Sequence, residues 1–278
     1  MVNSLSRMLL GAWLSLTLAE PPASWAAEPE AQDQPPETTS QALGFNEPTF
    51  DGRWRFLIAP YAWVPDKLRI HADTPGGNGS VILGINDIFD ALEGAAEMET
   101  AVRKGTFGAF FDLIWLSLDF EKNARSFRLK IDDRALILNY GISYELGRWK
   151  LGDGPRTVSV EPYFGGRSLI DHVKLDFQRF PGDTVKIDFN APIVGVRTLW
   201  DLTERWKFRI SGDYGGFGVD HTRYTWAFLT GFVYRFHIHG IRTNFLLGYR
   251  GLGVKLKQSG IRLTVQARGP IAGLGFEF

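Results

Sequence analysis

Along most of this chain, bulky apolar residues stand at every second position, and small, polar or charged residues fill the places between. The stretch after Arg134 shows it plainly: Leu136, Leu138, Tyr140, Ile142, Tyr144 and Leu146 alternate with Ala135, Ile137, Asn139, Gly141, Ser143 and Glu145. Val158, Val160, Pro162 and Phe164 repeat the theme against Ser159, Glu161, Tyr163 and Gly165. Further runs set Val194, Val196 and Trp200 against Gly195, Arg197 and Asp201, and Phe208, Ile210 and Tyr214 against Lys207, Arg209, Ser211 and Asp213. Tyr224, Trp226, Phe228, Phe232, Tyr234 and Phe236 oppose Thr225, Ala227, Gly231 and Arg235; Phe245, Leu247 and Tyr249 oppose Asn244, Gly248 and Arg250. In an extended strand successive side chains point to opposite faces, so each run has one apolar and one polar face. The pattern predicts an all-β fold of consecutive antiparallel strands.

Earlier segments fit the same scheme. Arg53–Val64 reads as a first strand, with Pro60 at a bulge or an unpaired position, since proline cannot donate to a ladder. Ala95–Arg103, the Lys104-Gly105 turn and Phe107–Leu118 read as a hairpin. Residues 66–94 differ: a turn cluster, Thr74 to Gly79, separates short apolar runs, and Asn86-Asp87 suits the cap of a short helix through Glu93. This segment is expected to be one extracellular or lumen-directed insertion.

A soluble barrel hides its apolar face inside. Here the apolar faces are strongly aromatic and uniform, and the other faces scatter charges among glycines, as in a polar lumen surrounded by lipid. Connection lengths support that reading. His237–Gly240, Leu202–Arg205 and Lys104-Gly105 are tight, Gly147–Arg156 is somewhat longer, and the alternate links Asp119–Arg134, Asp176–Thr184 and Gly215–His221 are longer or more polar. Short periplasmic turns and longer extracellular loops are what a transmembrane up-and-down β-barrel shows. The orientation puts Trp200, Trp206, Tyr144, Phe236 and Phe278 at the periplasmic rim and Tyr224, Trp226 and Tyr249 at the outer one, making two aromatic belts. The wall comes to about ten strands; eight or twelve stay open, because a 66–85 hairpin would add to it.

Composition adds location. Residues 1–26 read as a secretory signal, with Arg7 before the apolar Met8–Ala19 and Ser24-Trp25-Ala26 before the cut. Residues 27–51 are acidic and proline-rich, with too little apolar surface to offset ordering, and are expected to form a disordered periplasmic leader. The barrel then spans 52–278. Cysteine is absent, so disulfides play no part. The 31 bases and 31 acids balance overall, but residues 1–51 hold Arg7 alone against seven acids, which leaves 52–278 with a cationic surplus of six.

The candidate chemistry is the set of charges on the lumen faces: Glu97, Glu99, Arg103, Glu161, Arg167, Asp171, Arg197, Arg209, Asp213, Arg235 and Arg250, with Asp112 also facing inward. Two readings follow. Paired across a lumen just wide enough for side chains, these groups form a salt-bridged plug in a closed structural or interaction barrel. Hydrated and unpaired, the arginines line a narrow pore for small anionic solutes, since Arg rings select anions. A third reading, an outer-membrane enzyme, needs a base beside its partner near the outer rim; only His71 with Asp73 and His221 with Asp220 come near that, so a non-enzyme is expected. His237-Ile238-His239 has too few neighbours for a metal, no phosphate or dinucleotide motif is present, and no cofactor or nucleic-acid partner is expected.

The terminal Phe276 and Phe278, with no polar tail, resemble the C-terminal signal of bacterial outer-membrane β-barrels, which the barrel-assembly machinery reads. Ala59-Pro60-Tyr61-Ala62-Trp63-Val64-Pro65, Ala191 to Arg197, Gly212-Asp213-Tyr214-Gly215-Gly216-Phe217-Gly218, Gly248-Tyr249-Arg250 and Gly269-Pro270 through Phe278 resemble an uncharacterised family of proteobacterial outer-membrane β-barrels. The resemblance implies the architecture, outer-membrane localisation in a Gram-negative bacterium, and lipid and lipopolysaccharide as surroundings. It implies no substrate. Residues 220–224 are more charged than that family's Gly/Ser-rich loop.

Overall fold

The structure, a computed structural model, describes residues 52–74, 77–123, 128–152, 156–177, 184–258 and 260–278. The expected signal (1–26) and leader (27–51) lie outside these residues. Thirteen strands form one sheet: β1 (Trp54–Trp63), β2 (Lys67–Thr74), β3 (Gly77–Gly84), β4 (Leu92–Lys104), β5 (Phe107–Asn123), β6 (Arg128–Tyr144), β7 (Gly147–Lys150), β8 (Thr157–Phe177), β9 (Thr184–Asp201), β10 (Trp206–Gly215), β11 (Thr222–Ile238), β12 (Ile241–Gln258) and β13 (Ile261–Glu277). One helix, α1 (Ile85–Ala91), stands between β3 and β4.

Ten of the strands make a closed, up-and-down antiparallel wall in the order β1-β4-β5-β6-β8-β9-β10-β11-β12-β13, and β1 pairs β13 to complete the ring. Closure pairs these strands around the ring, which is what allows them to cross lipid with their backbone groups satisfied. At the closing rung Phe56 and Phe278 exchange two backbone hydrogen bonds, each 3.0 Å. Short turns gather at the end holding Trp54, Trp206 and Phe278, here called the terminal end; the opposite end is distal. The tight turns use the left-handed region where glycine is at ease, as at Gly105 (φ 59°) and Gly240 (φ 81°).

The alternation in the sequence becomes the two faces of this wall. Ile142, Phe164, Val194, Phe232 and Leu247 lie exposed on the outside, while Asn139, Ser143, Glu161, Arg197 and Asn244 are buried within. An apolar belt around a polar interior makes this a transmembrane barrel. Glycines inside the wall make room for large lumen side chains: a Cβ on Gly195 would stand 2.4 Å from the Tyr163 ring.

Four details differ from the sequence reading. The Asp119–Arg134 connection is largely strand, because β5 and β6 stay paired from Asp119↔Asp132 out to Asn123↔Arg128. The Gly147–Arg156 link begins with β7, which resumes pairing with β8 after a break at Glu145-Leu146. Insertion 66–94 is a β2–β3 hairpin that prolongs the wall by pairing β2 with β13, followed by α1. The helix starts earlier than expected, at Ile85, because the Gly84 N–H donates to the Asp87 carboxyl at 3.0 Å and sets the cap one turn back.

Candidate functional site

The lumen holds two regions of opposite chemistry. The lower one, towards the terminal end, is a lattice of ion pairs. Arg103 donates to Glu145 (2.8 Å) and to Glu161. Arg197 joins Glu161 (3.2 Å) and Glu99 (3.8 Å), and Arg209 reaches Glu99 at 3.4 Å. Arg167 meets Asp213 at 2.9 Å and also donates to Asn139 (2.6 Å) and Thr225 (2.8 Å). Arg250 meets Asp112 at 2.6 Å and donates to the Tyr61 hydroxyl at 2.8 Å. Nearest the terminal end, Lys207 and Arg148 share Asp201, at 2.7 and 2.9 Å. Strands of very different sequence position are tied in this way, because a ring of ten places side chains from opposite walls within reach.

Glu99, Arg103, Glu161, Arg167, Arg197, Arg209, Asp213 and Arg250 are thus brought together. Arg235 is buried but makes no ion pair among the described residues, and the carboxyls of Asp201 and Glu277 act on it from further away. The Asp171 side chain lies outside the described residues. Glu145, Arg148, Asp201 and Lys207 were missed as members of the lattice. They sit at strand ends, where the alternation still places them inward but the turns obscure it. Phe276 lies on β13, and Phe278, just past its end, is exposed.

Above the lattice the faces exchange character. On β2, Lys67, Arg69, His71 and Asp73 point outwards, and Leu68, Ile70 and Ala72 point in. On β13, Arg262, Thr264, Gln266 and Arg268 are outside and Leu263, Val265 and Ala267 inside; on β12, Lys255 and Lys257 stand outside Val254 and Leu256. With Val81, Leu83, Ile88, Phe189 and Ala191 these residues make an apolar cluster within the distal half. They enclose a cavity of about 370 Å³ whose lining also includes Trp63, Leu92, Ala95, Leu116, Ile137 and Leu169. Its size falls in the range of small-molecule sites. Trp63 forms part of the floor: its indole N–H donates to the Arg250 carbonyl (3.3 Å), and the Arg250 guanidinium stands 5.4 Å from its ring centre.

One side of the cavity coincides with a gap in the wall. Pairing of β1 with β4 runs from Trp54↔Lys104 to Pro60↔Met98 and stops there. Beyond it, Tyr61–Pro65 follows β13 and leads into β2, which stays paired with β13, whereas Glu97–Leu92 follows β5 and bulges before Leu92. Both lips line the cavity. Proline explains where the ladder ends, since Pro60 has no N–H. Across the gap the Trp63 backbone N–H, which would seek a β4 carbonyl, is held by one carboxyl oxygen of Glu97. Glu97 is therefore the one predicted lumen carboxyl among the described residues that stands apart from the arginine lattice.

The histidines His71, His221 and His239 lie away from both regions. His71 contacts Asp73 at 3.2 Å on the outside of β2, and Arg262 shares that carboxyl at 3.3 Å. His221 sits in the turn before β11, and His239 in the turn after it. Among the described residues no group of three or more His, Asp or Glu side chains is arranged to hold a metal.

No family profile matches the sequence, and no curated protein does. Solved structures of similar fold are bacterial outer-membrane β-barrels. The Neisserial surface protein A is 12% identical and matches 81% of this chain and 97% of its own, at a TM-score of 0.31. The attachment invasion locus protein Ail of Yersinia pestis is 9% identical over 81% and 98%, at 0.32. The outer membrane protease OmpT of Escherichia coli is 8% identical over 82% and 98%, at 0.42. At such low identity and TM-score these likenesses carry no argument about ligand or activity.

Proposed function

We propose that this protein is an integral outer-membrane barrel that binds an apolar small molecule in its distal half and does not conduct solutes. The observation that carries this is the exchange of faces on β2, β12 and β13: an apolar cavity, walled on that side by strands with polar exteriors, sits on a floor of paired charges. A cavity lined by Leu, Ile, Val and Phe favours apolar surface by about 25 cal/mol for each Å² removed from water. The basic outer face of this half, with Lys67, Arg69, Lys257, Arg262 and Arg268 exposed, suits the anionic head groups of lipopolysaccharide in the outer leaflet. The gap beside Glu97 opens the cavity wall at the level of the Tyr249 belt, and serves as the doorway for a molecule dissolved in that leaflet. Phe276 and Phe278 keep their proposed role as the signal for the assembly machinery.

The anion-pore reading is the weaker one. Its arginines are engaged by carboxyls, apart from Arg235, and a paired guanidinium has little left to offer a passing anion. No observation favours an enzyme over a binding protein. Two measurements decide. Planar-bilayer recording of the purified barrel is expected to show no steady channel steps, and anion-selective steps would overturn the closed lumen. A dodecyl chain carrying a terminal diazirine, in phosphatidylcholine vesicles, is expected to label β2, β12 and β13 from within on irradiation. Ala267→Phe fills the cavity and should cut that labelling about tenfold while the barrel still folds, since adding bulk to a core typically costs about 1–3 kcal/mol. Labelling confined to the outer belt in both proteins would overturn the cavity assignment.

A further inference from the structure

We infer that the molecule taken by the cavity carries a hydrogen-bond donor at the end of its apolar body, and that Glu97 is the residue that holds it. This rests on the apolar-cavity reading and names its ligand class: an alcohol or other single-donor amphiphile with an aliphatic chain. Glu97 is 8% exposed and lines the cavity, the sole charged side chain among the described residues to do so. Oε2 takes the Trp63 N–H. Oε1 is buried with no hydrogen-bond partner among the described residues. Orphaned buried oxygens are costly and rare in folded proteins, and they mark places where a partner belongs.

The surroundings define what that partner is. The neighbouring cations cannot serve, because Arg250 is held by Asp112 and Tyr61 below the Trp63 floor. Around the oxygen the lining is aliphatic or aromatic, so the rest of the ligand must be apolar. The missing rungs beyond Pro60 and Met98 leave Glu97 free to receive it, since the carboxyl replaces a strand carbonyl with one oxygen and offers the other inward. An amphiphile in the outer leaflet keeps its head at the level of the aromatic belt, and Trp63, directly paired with Ile271 on β13, lies one rung from the Tyr249↔Pro270 pair at that belt. The head meets Glu97 there and the chain runs on into the distal cluster.

The test compares dodecan-1-ol with its methyl ether as competitors of the diazirine label, at equal concentrations in phosphatidylcholine vesicles. The two differ by one donor and keep the same oxygen acceptor. The alcohol is expected to displace the label about tenfold better, the worth of one net hydrogen bond. Glu97→Gln keeps an oxygen for the Trp63 N–H and turns an amide N–H₂ towards the cavity, so the preference should fall to near unity. Equal competition in the unaltered protein would overturn the donor inference and leave the apolar cavity standing. No displaceable labelling from within the cavity would remove both.

Discussion

The two halves of this barrel solve the same problem with opposite faces. In the terminal half the wall is apolar outside and the interior is a lattice of carboxyls and guanidiniums; in the distal half β2, β12 and β13 are polar outside and the interior is aliphatic. The difference follows from what each half touches. Lipid around the terminal half rewards Phe, Tyr and Trp on the outside and leaves polar groups only the lumen. A polar surrounding favours Lys and Arg on the outside of β2, β12 and β13, and apolar residues then collapse inward as in a soluble barrel. What differs in consequence is freedom. A lattice whose charges are mutually tied cannot admit a guest without breaking ion pairs, whereas an aliphatic cluster with a void can.

The largest way to test that contrast is to attack the lattice. Arg103 is 2% exposed and bridges Glu145 and Glu161, so Arg103→Met leaves two buried carboxyls short of a partner. The barrel is expected to lose about 3–5 kcal/mol in a guanidinium titration in vesicles. Labelling of the distal cavity in the surviving folded fraction should stay unchanged. Coupled loss of both would mean the halves are one cooperative unit. Deleting Phe278 is a smaller perturbation of the terminal half. It removes two backbone hydrogen bonds to Phe56 at the closing rung, worth about 1–3 kcal/mol together, and lowers the amount of barrel in the membrane. Normal barrel levels would show that closure does not need the last residue.

The smallest effect is kinetic. Ala62 and Ala96 would face each other had the β1–β4 ladder continued past Pro60↔Met98. With cysteines at both positions, joined by a short bifunctional thiol reagent, the gap is fixed. Entry of the diazirine chain should slow about tenfold, or about 1.4 kcal/mol in barrier, while the cross-link raises the folding midpoint by closing a loop in the unfolded chain. An unaltered rate would place the doorway elsewhere, at the distal mouth.

Most of the terminal half was legible because its signal is strong and single: aromatic and aliphatic residues at every second position from Leu136 to Leu146, and again from Tyr224 to Phe236 with Thr230 the one exception, have one reading in an antiparallel wall. The distal half was written in the same alphabet with the sign reversed. Lys67, Arg69 and His71 alternate with Leu68, Ile70 and Ala72, and Arg262, Thr264 and Gln266 with Leu263 and Val265. Period-two patterning says which residues share a face but not which face looks inward, and the membrane rule that fixes it lower down does not hold beyond the belt. The charged lumen set was legible as a set. Its partners were not, because pairing across a ring depends on register and tilt, as Arg209 with Glu99 illustrates over 110 residues of chain. Glu97 could be placed inward from the alternation, yet its separation from the arginines depends on where the ladder ends. Pro60 was the only hint.

The way β13 holds both β1 and β2 has a bearing on when the cavity comes into being. β13 supplies Leu263, Val265 and Ala267 to the interior, and its backbone carries the hairpin that brings Leu68, Ile70, Val81 and Leu83. Until that strand docks, much of the lining has no address. If the cavity takes the guest proposed for it, occupancy belongs to closed barrels alone, because a chain whose β13 has not docked lacks much of the lining.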